Sequence, residues 1–512
     1  MFSKTYAAAV QGISATIITI EVSCEKGAQF FLVGLPDVAV RESHERILSA
    51  IHSCGHLIPR KRITINMAPA DIRKEGSAYD LPLAVGILSA SEEMNLSMLD
   101  KYMLMGELSL DGSLLPIKGV LPIAIMAREM GFKGFILPSL NAKEAAIVND
   151  LEVYGAANLK EVLGFLSGKD TLTQTVINTR EEFYKRQHKY DVDFSDVRGQ
   201  ENVKRALEVA AAGSHNVIMI GSPGSGKSML AKCLPSILPP FTLKESLETT
   251  KIHSVAGKIG VDASLMTQRP FRSPHHTISN VAMVGGGSYP QPGEISLAHN
   301  GILFLDELPE FNRNVLEVLR QPLEDRVITV SRARSTVVYP ANFMLVASMN
   351  PCPCGYYNHP THPCVCAPGA VQKYMNRVSG PLLDRIDIQV EVVPVPFEKI
   401  SDRCPSEAST SVRERVMKAR AIQAERFADN EGIYSNAQMT SRLLHKYAAP
   451  NEGGLAILQK AMQKLSLSAR AYDRILKVAR TIADLDASEN VLERHLAEAI
   501  TYRNLDRESW GL

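Results

Sequence analysis

The chain has 512 residues, with 56 lysines and arginines against 55 aspartates and glutamates, a net charge of +1. That length exceeds what one hydrophobic core organises, and a near-neutral balance excludes a uniformly basic nucleic-acid coat, so any DNA contact must come from local positive charge. No charged stretch followed by an apolar core opens the sequence, and no apolar run approaches the ~20 residues that span a bilayer; a cytoplasmic protein with reduced thiols and no membrane partner is expected.

From Met1 to about Gly168 the segments 15–22 and 62–67 alternate as strands do, and helical patterns over 38–54 and 81–91 lie between them, an α/β arrangement. Residues 169–190 turn polar and read as a linker. After the segment 193–200 a helix runs from Glu201 to Ala212, and Val217-Ile218-Met219-Ile220 reads as a short buried strand. It leads into Gly221-Ser222-Pro223-Gly224-Ser225-Gly226-Lys227-Ser228, which fits GxxxxGK[ST] at every specified position, with a helix beginning at Met229. In that strand–loop–helix context the backbone N–H groups turn toward phosphates, Lys227 places positive charge near the β- and γ-phosphates, and the Ser228 hydroxyl reaches Mg²⁺. The motif implies a bound nucleoside triphosphate with Mg²⁺.

Arg269 to His299 is rich in glycine, proline and histidine, including Arg272-Ser273-Pro274-His275-His276 and Gly285-Gly286-Gly287; its histidines lack a metal-ligand pattern. Gly301 to Leu305 is an apolar strand ending in Asp306-Glu307. Downstream of a phosphate loop, Asp306 would hold Mg²⁺ through water and Glu307 would act as general base on the attacking water. Val327 to Tyr339 reads as two β-branched strands around a polar turn carrying Arg332 and Arg334, either a grip on phosphates or a solvated charged turn. A third strand, Phe343 to Ser348, leads to Asn350, whose amide would touch the γ-phosphate and orient the water.

Four of the eight cysteines, Cys352, Cys354, Cys364 and Cys366, fall close together as two Cys-x-Cys pairs with His359 and His362 between them. Such a set closes a tetrahedral Zn²⁺ site of Cys₄ or Cys₃His type; the alternative is reduced thiols packing a loop, since the spacing is tighter than the usual Cys-x₂-Cys. Arg385 follows in Gly380 to Ile388, before a strand closed by Pro394. From about Glu407 the pattern is helical, over Thr410 to Phe427, Leu443 to Tyr447, Gly454 to Leu465, and from Leu467 toward Asp484.

The phosphate loop, the acidic pair, Ser348-Met349-Asn350-Pro351-Cys352-Pro353-Cys354-Gly355, Cys364-Val365-Cys366 and the segment from Ser379 to Ile388 occur in one order. In this the chain resembles, over nearly its whole length, the magnesium-chelatase-like AAA+ ATPases of the YifB/ComM family, bacterial proteins linked to DNA uptake and recombination. The resemblance implies an α/β protein in parts: a Lon-protease-like N-terminal domain over 1–168, a linker over 169–190, an AAA+ P-loop αβα core with a pre-sensor-1 hairpin over 191–400, its Cys-rich loop at 350–368, and a helical C-terminal lid over 401–512. It makes Asn350 sensor 1 and Arg385 the finger that reaches the neighbouring subunit's site, against a surface ion pair with Asp384 or Asp387. It makes Arg470 sensor 2, with Arg474 one turn further as the fallback. Val197, Gly199 and Gln200 become candidate adenine contacts, or a plain helix cap, and Arg269 to His299 a helix-2 insert that, with the hairpin, points Arg272, Arg332 and Arg334 toward DNA in a central pore.

The function so implied is a hexameric, ATP-driven DNA motor, a branch-migration helicase of recombination and natural transformation acting on branched or single-stranded DNA. A chelatase-type motor assisting metal insertion and a protein-remodelling ATPase are the alternatives. Lon-type proteolysis needs a serine in a Pro-Ser-Ala-Gly turn and a lysine in the segment matching Gly119 to Ile123. Here the turn reads Glu75-Gly76-Ser77-Ala78-Tyr79-Asp80 and that segment has no lysine, Lys118 being the nearest, so no protease activity is expected.

Overall fold

A computed structural model describes residues 2–57, 61–96, 98–185, 190–260, 265–287, 290–332, 335–395, 406–465 and 467–503. They form two compact units, the first of Met1–Gln187 with Thr242–Thr267 and Pro290–Pro292, the second of His188–Phe241, Gln268–Tyr289 and Gly293–Leu512.

The first unit begins with Phe2–Gln11 (β1) and Ser14–Lys26 (β2), an antiparallel pair in register from Phe2↔Ser23 to Gln11↔Ser14. β2 shows the period of a half-buried strand, with Ile18, Ile20, Val22 and Cys24 inward. Phe30–Val33 (β3), Lys61–Ala68 (β4), Tyr102–Leu104 (β5), Gly134–Pro138 (β6) and Glu152–Ala156 (β7) complete a seven-stranded mixed sheet ordered β3-β4-β2-β1-β5-β6-β7. The helix Asp80–Ala90 (α1) is apolar almost all round and accordingly buried, against β1 and β2. Val120–Glu129 (α2) packs against a helix far along the chain, Leu243–Val255, whose Ser254 carbonyl accepts from Gly119 N at 3.0 Å. Segment 169–190, expected as a linker, contains the helix Thr179–Lys185, which buries Phe183.

The second unit is built on five parallel strands: Val217–Gly221 (β8), Phe271–Arg272 (β9), Ile302–Leu305 (β10), Met344–Met349 (β11) and Ile388–Val392 (β12), in the order β9-β10-β11-β8-β12. The nearly continuous apolar, fully buried runs of β8, β10 and β11 are the signature of strands covered on both faces, whereas β12 exposes Glu391. β8 lies between β11 and β12, strands entered late in the chain, so the loop leaving β8 emerges between their carboxyl ends, the place where open α/β sheets bind ligands. The expected hairpin forms outside this sheet, Val327–Arg332 against Ser335–Pro340.

The helices Glu201–Gly213 (α3), Ser409–Arg426 (α4), Ala469–Leu485 (α5) and Glu493–Thr501 (α6) share one apolar core with this sheet. α5 is capped by Ser468, whose hydroxyl accepts from Ala471 N, and it buries Ala471, Ile475, Leu476, Val478, Ala479, Ile482 and Ala483 along one side. Its end is fixed by a buried polar knot: Asp484 accepts from Arg426 at 2.7 Å, Arg480 at 3.1 Å and Asn436 at 2.7 Å. Replacing Asp484 by alanine leaves two guanidiniums without their acid, one of them fully buried, and is expected to cost about 3–5 kcal/mol. A urea titration followed by circular dichroism measures this, and a midpoint unchanged from the parent would contradict the account.

Candidate active site

β8 delivers Gly221 to the carboxyl ends of the strands, and the chain turns through Ser222-Pro223-Gly224-Ser225 before the short helix Lys227–Cys233. Gly226 caps that helix at φ 93°, a conformation that L side chains rarely adopt, which is why the turn needs glycine there. The Lys227 ammonium is held by three oxygens: it donates to the carbonyls of Gly221 at 2.7 Å and Ser222 at 2.9 Å and to Asn350 Oδ1 at 3.2 Å. Burial pushes its pKa below that of an ordinary lysine, with Asp306 and Glu307 pulling the other way.

Asp306 leaves the end of β10 and is oriented from both sides. Ser228 Oγ donates to its Oδ2 at 2.8 Å, and Ser348 Oγ, from β11, donates to Oδ1. Ser348 is a site residue that motif reading passes over, although its place two residues before Asn350 was the available signal. Glu307 is half-exposed in a left-handed conformation at φ 54°, and its carboxylate lies 3.6 Å from His276 Nδ1. His276 belongs to the Ser-Pro-His-His run, so one histidine of that region meets the acidic pair. Gln200, itself at φ 61°, donates to Ser225 O at 3.4 Å and Val393 O at 2.5 Å and so borders the loop, next to Gly199. Val197 is buried in the core.

The other expected residues lie elsewhere. Arg385 is 7% exposed. It pairs with Glu324 at 2.6 Å and donates to Pro381 O at 2.7 Å, so its ionic partner is neither Asp384 nor Asp387. Asp387 is fully buried beside His215 and ion-paired to Arg474; burial opposes its charge, yet the guanidinium and the imidazole hold its carboxyl far below the usual range. Arg474 is thereby committed within its own chain, and with Arg326 and Lys477 it lines a polar cavity of about 210 Å³. Burial, then Arg474, pushes Lys477 down to about 8. Arg470 is exposed on the first turn of α5. Arg272 makes a two-point pair with Glu294 at 2.6 and 2.7 Å. Arg332 ends its hairpin strand opposite Ser335, and Arg334 lies outside the described residues.

The sulfurs of Cys352, Cys354, Cys364 and Cys366 all lie within 4.8 Å of one another, with separations of 3.3, 3.5 and 3.8 Å among the first three. A tetrahedral ion with metal–sulfur bonds of ~2.3 Å requires sulfurs about 3.8 Å apart, so this donor set fits one. His359 and His362 pack in edge-on and tilted contacts against each other and Tyr356 instead of joining the set, so the donors that converge are the four sulfurs.

A strand–loop–helix phosphate site, an oriented Asp–Glu pair on the next strand but one and a polar amide on the strand between them define a P-loop nucleotide-binding protein of the AAA+ type. Three family models match the chain: Subunit ChlI of Mg-chelatase over residues 20–141, Magnesium chelatase, subunit ChlI, over 193–400, and its C-terminal model over 406–503. Competence protein ComM of Haemophilus influenzae is 44% identical over 506 residues, covering 98% of this chain and 97% of the relative. The uncharacterized protein YifB of Escherichia coli is 44% identical over 510 residues, covering 99% and 97%. The magnesium-chelatase 67 kDa subunit of Chlorobaculum parvum is 27% identical over 164 residues, 31% of this chain and 23% of that protein. The chain belongs to the YifB/ComM family of magnesium-chelatase-like AAA+ ATPases.

Lys227→Ala removes the one ammonium of the loop, and nucleotide affinity should fall about 10- to 100-fold, the worth of a hydrogen bond to a charged group. Titration with a fluorescent ATP analogue checks this; an affinity equal to the parent's would show that the loop is not the phosphate site.

Proposed function

We propose that this protein is a ring-forming, ATP-driven DNA motor, a branch-migration helicase serving recombination and natural transformation. The observation that carries the reading is the joining of Lys227, Ser228, Asp306 and Asn350 around one loop by direct hydrogen bonds, with Glu307 beside them. The near full-length relative named as a competence protein supplies the biological direction.

In this reading the loop N–H groups and Lys227 bind the triphosphate, while Ser228 and Asp306 hold Mg²⁺. When bound, the ion neutralises charge developing between the phosphates. Glu307 takes the proton of the attacking water, and Asn350 orients that water. Arg385 acts in the neighbouring subunit of a hexamer, exchanging Glu324 for a phosphate oxygen, and Arg470 serves as sensor 2 from a helical lid. Arg272, Arg332 and Arg334 face branched or single-stranded DNA, the first after release from Glu294. Zinc is held by Cys352, Cys354, Cys364 and Cys366.

The first unit is read as a Lon-like scaffold without proteolysis. Supporting this, Ser77 lies in a 3₁₀ turn, Lys118 rests its methylenes against Gly257, and buried Lys74 donates to the Pro69 carbonyl. Among the described residues no helix is long and apolar enough to cross a membrane; a cytoplasmic location is part of the proposal.

Glu307→Gln should bind ATP with parental affinity while turnover falls about 10²- to 10⁴-fold. Arg385→Ala should likewise keep nucleotide and lose turnover by about 10³-fold; retained turnover would refute its role as a finger. The decisive measurement is ATP hydrolysis with no DNA, linear duplex, single strand and a four-way junction, with Lys227→Ala as the blank. Stimulation greatest with the junction is expected, whereas no stimulation by any DNA would favour a chelatase-type or protein-remodelling motor.

A further inference from the structure

The four-cysteine loop is built onto the phosphate loop. Cys352 follows Asn350 by two residues, is fully buried, and its sulfur accepts from Tyr357 N at 3.3 Å. Gly355, at φ 84°, lies so close to the phosphate loop that a Cβ there would sit 2.5 Å from Pro223 Cδ. Tyr357, Asn358 and Pro360 form one wall of a narrow cavity whose other side includes Gly221 and Ser222. Between Pro351 and Ala367 the chain forms neither helix nor strand, so no backbone ladder fixes its course. Short turns, such as Gly355 N to Cys352 O and His362 N to His359 Nδ1, shape it locally, and its two ends meet where the four sulfurs converge.

A chain segment without regular structure that supplies four thiolates to one ion takes its conformation from the ion, because binding free energy is then folding free energy. We infer that metal occupancy of the Cys₄ centre sets the affinity of the phosphate loop for nucleotide, through the seating of Gly355 on Pro223 and of Asn350 on Lys227. This rests on the zinc reading given above. Loss of the ion frees the segment that backs Pro223, and the loop N–H groups lose their preset orientation. A site of this kind lets the state of the four thiols, through metal supply or oxidation, control a motor whose chemistry uses no cysteine.

The test measures zinc content and the affinity for a fluorescent ATP analogue on the same samples of full-length protein: as purified, stripped with a mercurial and chelator, and reconstituted with Zn²⁺ after thiol reduction. About one zinc per chain is expected. Stripping should weaken nucleotide about 10-fold or more, the scale of one lost charge-assisted hydrogen bond, and zinc should restore it. Gly355→Ala keeps all four thiolates and should retain zinc while losing affinity on the same scale. Circular dichroism on each sample shows that the fold survives. Zinc present with affinity indifferent both to its removal and to Gly355→Ala overturns the coupling and leaves the zinc reading standing. No zinc in any preparation, with no thiolate charge-transfer band on adding Co²⁺, overturns the zinc reading and the coupling with it.

Discussion

One ammonium closes the circuit on which the site depends. Lys227 is tied by Asn350 to the end of β11, the same strand supplies Ser348 to Asp306, and Asp306 returns through Ser228 to the residue beside Lys227. Each of these bonds has a charged partner and is worth about 1.5–3 kcal/mol net, and closed in a ring they hold the groups that must meet a triphosphate in place before it arrives. Preset dipoles of this kind reorganise little when charge develops, which is where electrostatic catalysis gets its advantage.

Arg385 and Arg474 are both satisfied inside their own chain, one by Glu324 and the other by buried Asp387. The two cases differ physically. Parting Arg385 from Glu324 returns a half-exposed carboxylate to water and leaves a buried guanidinium that needs another acceptor, whereas Asp387 is sealed and its separation from Arg474 would strand a buried carboxylate. In the ring reading, Arg385 is the arginine that is free to be exchanged, and Arg474 is the one that holds the strand end of β12 to α5.

Much of this is legible in the amino-acid sequence alone. The phosphate loop and the Asp306–Glu307 pair could be read because their chemistry is local: spacing along the chain already determines what the groups face. The cysteines are legible for the same reason, though the choice of four sulfurs over three and a histidine needs the packing of His359 against His362 and Tyr356. What could not be read were pairings across long separations. Glu324 for Arg385, Glu294 for Arg272 and His276 for Glu307 follow from sheet order, which no short window encodes. The helix Leu243–Val255 carries an ordinary capping box at Thr242 and Glu245, and nothing in it announces that it packs on α2.

Gly221 shows how one residue type can answer two demands. Its backbone is ordinary, unlike that of Gly226, but a Cβ on it would run into the Val392 carbonyl oxygen of the neighbouring strand β12. The motif's first glycine is therefore a spacer that sets how near β12 approaches β8. A library randomised at this codon and screened only for soluble expression, with nucleotide never added, would still return glycine, and a motif usually counted as the mark of a ligand would in part be recording the distance between two strands.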